Sequence, residues 1–217
     1  GMGGHAGGAL AAEQVVHTAR TSLEHFSSAT ESSREMLENS MLEAHTMIKA
    51  SRFINEKDPH STVVMLLLQP GKVTWAHCGD SRLYRFRGTD TLFRSVDHSY
   101  VEHLVSIGRI TPEEALVHPN RNVLITSLGG KDAPKFSFGE ADDLTDGDIF
   151  MLCSDGLWPY FEEPEMARIM AENSARAASE ILIDLARTRA AGSGDNVSVV
   201  IIKFKDAKPA SAAVAPR

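Results

Sequence analysis

Four short segments carry the residue types that could do chemistry: Gly1-Met2-Gly3-Gly4-His5-Ala6-Gly7-Gly8, Cys78-Gly79-Asp80-Ser81-Arg82, Ser154-Asp155-Gly156-Leu157 and Gly194-Asp195-Asn196. Each sets an acidic or glycine residue where a strand is expected to end, and side chains held on rigid strand ends can converge on one point. Carboxylate oxygens are the hard donors that oxygen-seeking divalent cations favour. Taken singly, each segment has a plainer reading. Glycine supplies positive φ and aspartate bonds its own backbone, so Asp-Gly and Gly-Asp pairs commonly mark nothing more than turns. His17, His25 and His45 fall on expected helices at no ligand spacing and read as surface or packing residues. Trp75 and Trp158 read as core, and the methionines around Met36, Met41 and Met47 follow the helical period, so packing explains them.

The elements that must position these residues are legible from periodicity. Val16, Ala19, Leu23 and Phe26 recur at helical steps and predict a first helix ending near Phe26. Leu37, Met41, Ala44 and Ile48 predict a second between Ser32 and Asn55, with Ser32 or Ser33 as its N-cap. From Thr62 the chain turns β-branched and aliphatic, and Pro70-Gly71 divides Thr62–Gln69 from Lys72–Cys78 as a hairpin would. Arg82–Arg87 reads as a third strand. Between His98 and Leu128 the pattern becomes short-helical, with Thr111-Pro112-Glu113-Glu114 as cap, first-turn proline and acidic first turn, so an inserted surface module is expected there. Strands are expected at Lys135–Glu140 and Asp148–Cys153, helices at Pro164–Glu172 and Ala175–Ala190, and a buried closing strand at Val197–Phe204. Helices in two pairs beside antiparallel strands, without a strand-helix-strand rhythm, imply an α+β fold of two packed sheets with helices outside.

A chain of 217 residues suits one domain, read as 1–204 with a frayed alanine- and proline-rich tail over 205–217. A formal charge of −7, with no basic run, argues against a nucleic-acid partner. The longest apolar run, Val63 to Leu68, is too short to cross a bilayer, which needs about 20 residues. Cys78 and Cys153 lack zinc or disulfide spacing and read as buried thiols of a reducing compartment, so a cytoplasmic location is expected.

The order and context of the four segments are more specific than any one of them. They resemble the bacterial branch of the metal-dependent type-2C, or PPM, serine/threonine protein phosphatases over nearly the whole chain. The opening loop matches from its glycine onward, followed by Gly79-Asp80-Ser81-Arg82, Ser154-Asp155-Gly156 and Asp195-Asn196. The stretch from Asp97-His98-Ser99 through His118-Pro119-Asn120-Arg121-Asn122-Val123-Leu124 is similar to the family's flap, at about 97–128.

The resemblance implies a four-layer α-β-β-α sandwich with two central antiparallel sheets and a site at one end. There, family members hold two manganese or magnesium ions and attack phosphoserine or phosphothreonine with an activated water. Carried over by position, Asp155 and Asp195 match metal-binding carboxylates. Gly1 matches a glycine whose carbonyl reaches the second ion, and Asp80 matches a ligand of a third, weaker ion. Gly156 and Asn196 flank these ligands, and His5 is the candidate proton donor to the leaving oxygen, the plainer reading being a cap on the first helix. Arg121 in the flap is either a contact for an acidic phosphopeptide or a solvated loop arginine. A phosphorylated protein substrate and a cognate kinase are the implied partners.

The family's loop aspartate stands just before the position of Gly1, and a further acidic ligand and a phosphate-gripping arginine lie upstream of it. The expectation is therefore a chain that begins inside the motif with the N-terminal strands missing, either because Met2 was taken as a start codon or because an upstream segment exists that this sequence does not include. It follows that this polypeptide should bind manganese weakly and turn over slowly or not at all, and that an exposed sheet edge should favour a homodimer. Two other readings stand beside the phosphatase: a non-catalytic phosphoprotein-binding module on the same scaffold, and a phosphatase of small phosphorylated molecules.

Overall fold

A computed structural model describes residues 1–2, 6–55, 58–192 and 194–205, the side chains of Ala6 and of residues 52–55 excepted. Helices α1 (Ala6–His25) and α2 (Ser33–Asn55) form the first layer. Ser32 caps α2 in both directions, accepting from the Glu35 amide at 3.2 Å while its own amide donates to the Glu35 carboxylate at 2.9 Å. The expected face is the buried one: Leu37, Met41, Ala44 and Ile48 are 3% exposed or less and pack with Ala11 and Val15 of α1. Met47 departs from expectation. It lies on the outer face of α2 and is 48% exposed, so core packing does not explain it.

The first sheet runs β1 (Val63–Gln69), β2 (Lys72–Cys78) and β5 (Ser137–Ala141), in that order and antiparallel throughout. Gly71, at φ +74°, closes the β1–β2 turn in a conformation that suits glycine. The second sheet runs β4 (Asp90–Arg94), β3 (Arg82–Arg87), β6 (Asp148–Cys153) and β7 (Val199–Lys203), again antiparallel. Strand alternation sorts the core. Val73 and Trp75 of β2 face Leu83 and Phe150 of the second sheet, while Ala76 and Cys78 face α1 and α2. On the far side, Tyr84, Phe86, Ile149 and Met151 pack against Met166 and Met170 of α5 (Glu163–Glu172) and Ala178 and Leu182 of α6 (Ala175–Arg189). The layers are helix pair, sheet, sheet, helix pair. Full burial of a side chain such as Phe150 stabilises this arrangement by about 2–3 kcal/mol.

Two strand expectations need correction. Asp90–Arg94, which the aliphatic pattern did not mark as a strand, pairs with β3 through a turn at Gly88; its apolar content is the short pair Leu92-Phe93 between charged ends. The closing strand is shorter than Val197–Phe204 and is not buried: among the described residues β7 is a sheet edge paired with β6 alone, and Val200 is 54% exposed. The tail beyond Lys205 lies outside the described residues.

The flap carries α3 (Tyr100–Ser106), capped by Ser99, and α4 (Pro112–Val117), capped reciprocally by Thr111 and Glu114. Its root is closed by backbone bonds from Ile125 N–H to the His98 carbonyl at 2.9 Å and from Tyr100 N–H to the Val123 carbonyl at 2.8 Å. Among the described residues no helix is long and apolar enough to cross a membrane.

Candidate metal centre

Asp80 follows the end of β2, Asp155 follows the end of β6, and Asp195 precedes β7. Antiparallel pairing of β6 with β7 brings the last two together, because Cys153 lies opposite Val199 and the chains continue past each other into facing turns. Bonds between the turns hold them in place. Ser154 N–H donates to the Ser198 carbonyl at 3.0 Å, Ser198 N–H donates to Ser154 Oγ at 3.0 Å, and Ser154 Oγ donates to the Asn196 carbonyl at 3.2 Å. Gly156 is buried against this loop, where a Cβ would strike the Asn196 carbonyl oxygen and stand 2.9 Å from its carbon. Asn196 N–H donates to Asp195 Oδ1 at 2.7 Å and fixes that carboxylate.

The electrostatics tie the candidates into one cluster. Burial raises the pKa of Asp155, and the neighbouring Asp195 charge raises it further, against backbone amides at 155 and 156 and the Gly1 amine. Burial likewise pushes Asp80 up to about 7, with Asp155 and then Asp97 adding repulsion. The Gly1 amine is lowered by desolvation, and Asp155 and Asp195 oppose that shift, so Gly1 stands beside both carboxylates. Met2 N–H anchors this end of the chain on the His60 carbonyl at 3.0 Å. Carboxylates that penalise one another's ionisation attract a cation, since a positive charge among them relieves the repulsion.

The donor set is all oxygen and fits a hard divalent ion better than zinc or copper. The carboxylates associate as pairs, Asp155 with Asp195 and Asp155 with Asp80. Among the described residues no three His, Cys, Asp or Glu side chains form a group able to enclose a cation. The residues present therefore fit one ion at Asp155 and Asp195, with Asp80 alongside. His5 lies outside the described residues.

Asp80 is held by residues that sequence reasoning had given other roles or none. Trp158 packs against the core cluster of the second sheet, as expected, and also serves the site. It is half-buried, donates Nε1–H to the Asp80 carbonyl at 3.0 Å, and supports the Arg82 guanidinium 3.4 Å above its ring. Arg82 makes two bonds to Asp97, at 2.8 and 2.7 Å, a paired and nearly buried ion pair. Trp75 is core, as expected. His45 is buried and accepts from Gly129 N–H, His25 bonds the Thr21 carbonyl at the exposed end of α1, and His17 is exposed. Arg121 is exposed in the flap. Both thiols are buried, which pushes Cys78 up to about 11 and Cys153 up to about 12, so neither is a nucleophile at neutral pH.

Comparison with known proteins bears on this geometry. The family described as protein phosphatase 2C matches residues 1–188. Protein phosphatase PhpP of Streptococcus pneumoniae is 30% identical over 212 residues, which is 95% of this chain and 84% of that protein. The solved structure of the S. agalactiae serine/threonine phosphatase superposes with a TM-score of 0.84 at 27% identity, covering 94% of this chain and 84% of that one. The catalytic domain of the phosphatase PstP, solved with two manganese ions, superposes with a TM-score of 0.78 at 27% identity, covering 94% and 85%.

Proposed function

This chain belongs to the protein phosphatase 2C family and is a metal-dependent protein serine/threonine phosphatase, and from that premise we propose that Asp155 and Asp195 are the carboxylates that hold its metal. Asp80 and the Gly1 carbonyl complete the oxygen set in this reading. One observation carries it: Asp155 and Asp195 lie near enough that the charge of one acts on the other and both act on Gly1, while Asp155 acts in turn on Asp80.

The proposed cofactor is manganese or magnesium, with two ions in the intact family site and a third at the position of Asp80. When bound, these cations supply Lewis acidity that makes water a nucleophile at neutral pH and offsets charge on the phosphoryl oxygens. The protein's own residues do the rest. Asp155 and Asp195 present acceptor-only oxygens, the Asn196 amide fixes one of them, and the bare Gly156 lets the two turns close. Hydrolysis adds water across the ester. The water oxygen bonds phosphorus, the bond from phosphorus to the serine or threonine oxygen breaks, and that oxygen takes a proton. We assign the proton to His5 on sequence grounds.

The substrate class is phosphorylated protein, and we propose a cognate serine/threonine kinase as the opposing enzyme and the cytoplasm as the location. The domain in this reading is 1–204, with the flap at 97–128 and a tail over 205–217. The reading as a non-catalytic binding module finds no support in the relatives, which carry phosphatase names. We also propose pairing of two copies along β1, which has no outer neighbour among the described residues and leaves Leu68 46% exposed. A monomeric mass by light scattering at high concentration would remove that pairing.

Asp155→Asn and Asp195→Asn test the assignment. Each should keep the wild-type far-UV circular dichroism and lower manganese-dependent hydrolysis of a phosphothreonine peptide by about 100-fold or more. Wild-type turnover in either variant overturns it, and faster turnover of phosphorylated metabolites than of phosphopeptides would move the substrate class.

A further inference from the structure

The turn that delivers Asp80 is gripped by the first residues of the flap. Gly79 is buried at φ +104°, a conformation that L side chains rarely adopt, and a Cβ there would stand 2.5 Å from Thr62 Cγ2. Both of its backbone groups bond to one residue. Gly79 N–H donates to His98 Nδ1 at 3.2 Å, and His98 N–H donates to the Gly79 carbonyl at 2.9 Å. Because Nδ1 accepts, the ring is neutral with its hydrogen on Nε2, which lies 2.9 Å from Ser137 Oγ. The ring is also stacked on His77, with centroids 4.6 Å apart and planes 14° from parallel, and His77 is itself tied to the Val96 carbonyl at 2.9 Å.

We propose that His98 is a positioning residue for the metal ligand Asp80, holding the Gly79 peptide so that the Asp80 carboxylate is presented to Asp155. The ordinary alternative is a satisfied core histidine with no bearing on the site. Three features set His98 apart from that. Both bonds fall on the residue immediately before the ligand, and on a glycine, whose backbone is the most permissive of any residue and gains most from being fixed. The next links of the turn are fixed independently, Asp80 by its carbonyl on Trp158 and Ser81 by its hydroxyl on Thr62 at 2.8 Å, so the His98 bonds supply the constraint that remains. The His98 carbonyl also accepts from Ile125 N–H at the flap root, so one residue joins the flap to the metal turn.

The inference rests on the reading of Asp80 as a ligand, and the experiment separates the two. His98→Asn places Oδ1 where Nδ1 stands and keeps the acceptor for Gly79. His98→Gln carries its polar atoms further out and does not. In the full chain, three quantities are measured for both variants: hydrogen exchange of the Gly79 amide by NMR, manganese binding by calorimetry, and the manganese concentration for half-maximal phosphopeptide hydrolysis. Gln should speed Gly79 exchange and weaken manganese binding about tenfold, the effect of one lost buried hydrogen bond, while Asn restores both.

Asp80→Asn is the control. If it weakens manganese binding and His98→Gln does not, the positioning role is wrong. If Asp80→Asn leaves manganese binding unchanged, the ligand reading is wrong and the inference falls with it. Equal loss in the Asn and Gln variants would mark His98 as structural only and also overturn the proposal. Should His98→Gln fail to fold, Ser137→Ala takes its place, since it leaves the ring but frees Nε2. A smaller loss of manganese affinity is then expected, and unchanged affinity refutes the proposal.

Discussion

Gly156 is the position where the smallest covalent change should reach the metal site. It lies between Asp155 and the loop that carries Asp195, and its Cα hydrogens face the Asn196 backbone. A Cβ would fall on the Asn196 carbonyl oxygen, 2.9 Å from its carbon and 3.4 Å from the Asp195 carbonyl oxygen. The obstructing atoms are backbone, so no side chain can swing aside. Ordinary contact distances of about 3.5 Å require the 195–196 segment to withdraw by roughly 1 Å. That segment also accepts the Ser154 hydroxyl and fixes Asp195 through the Asn196 amide, so its withdrawal parts Asp155 from Asp195. Overpacking of this kind costs about 1–3 kcal/mol of stability, and a 1 Å displacement of reacting groups costs about 100-fold in rate.

Gly156→Ala should therefore stay folded while its manganese requirement rises and its turnover of a phosphothreonine peptide falls by about two orders of magnitude. The assay is a manganese titration of initial rate beside a urea unfolding curve. Gly88→Ala is the contrast: φ is +60° there, nothing lies within 4 Å of a Cβ, and the turn joins β3 to β4 away from the site. It should cost about 1–2 kcal/mol through backbone strain alone and leave turnover unchanged. Gly156→Ala with wild-type manganese dependence would show that the two turns are not in close contact, and the site geometry derived from that contact would be wrong.

Two further expectations concern stability. Asp148 is fully buried and accepts from Arg85 at 2.7 Å, Arg87 at 2.7 and 3.1 Å, and the Thr145 amide and hydroxyl at 3.2 and 3.3 Å. Asp148→Asn turns a donor toward two guanidinium groups and should cost about 3–5 kcal/mol, or about 2 M in the urea midpoint. Since Asp148 begins β6 and Asp155 lies past its end, about 17 Å of strand separates them, and kcat should be unchanged. The second expectation is acid lability in two stages. His98 is held down to about 4 by burial and then by His77, with Asp97 opposing, and burial lowers His77 as well. Both folded values lie below that of a free histidine, about 6.5, so their contribution is complete above that pH and is lost as pH falls from 6.5 toward 4. Full conversion of the His98 shift would give about 3 kcal/mol, and partial solvent screening of the ring reduces this to about 1–2 kcal/mol. Asp148, depressed by its arginine partners against the cost of burial, retains its contribution until pH drops below the ordinary carboxylate range near 4. Urea midpoints that stay level between pH 7 and 4.5 would show that the two imidazoles titrate freely.

Much of the scaffold was readable because burial and periodicity coincide. Leu37, Met41, Ala44 and Ile48 mark the inner face of α2, and all four are buried. Pro70-Gly71 marks a hairpin whose register runs unbroken from Val63 opposite Cys78 to Gln69 opposite Lys72. Legibility failed where one face is not apolar. Strand β4 is exposed at alternate positions and carries charge at both ends, so it lacks an aliphatic signature, and the apolar run of β7 suggests burial although, among the described residues, β6 alone neighbours it. Met47 keeps the residue type of the core without lying on the core side.

The candidate ligands and their supports differ in legibility for a physical reason. Asp155-Gly156 and Asp195-Asn196 are local signals, because the glycine and the capping amide that each aspartate needs are its sequence neighbours. Asp80 is positioned by Trp158, 78 residues away, and its turn by His98, 19 residues from Gly79. Neither partner has a side chain whose type alone implies the role, since an indole satisfies a core as readily as it donates to a carbonyl. Only the closure of the two sheets, which brings the turn after β2 beside the turn after β6, makes an indole that packs on the core a donor to Asp80 as well. The same closure places Arg82 between Trp158 and Asp97. A change at Asp97 therefore reaches Asp80 both through direct repulsion between the two charges and through the guanidinium held over Trp158, although the two aspartates have no bond in common.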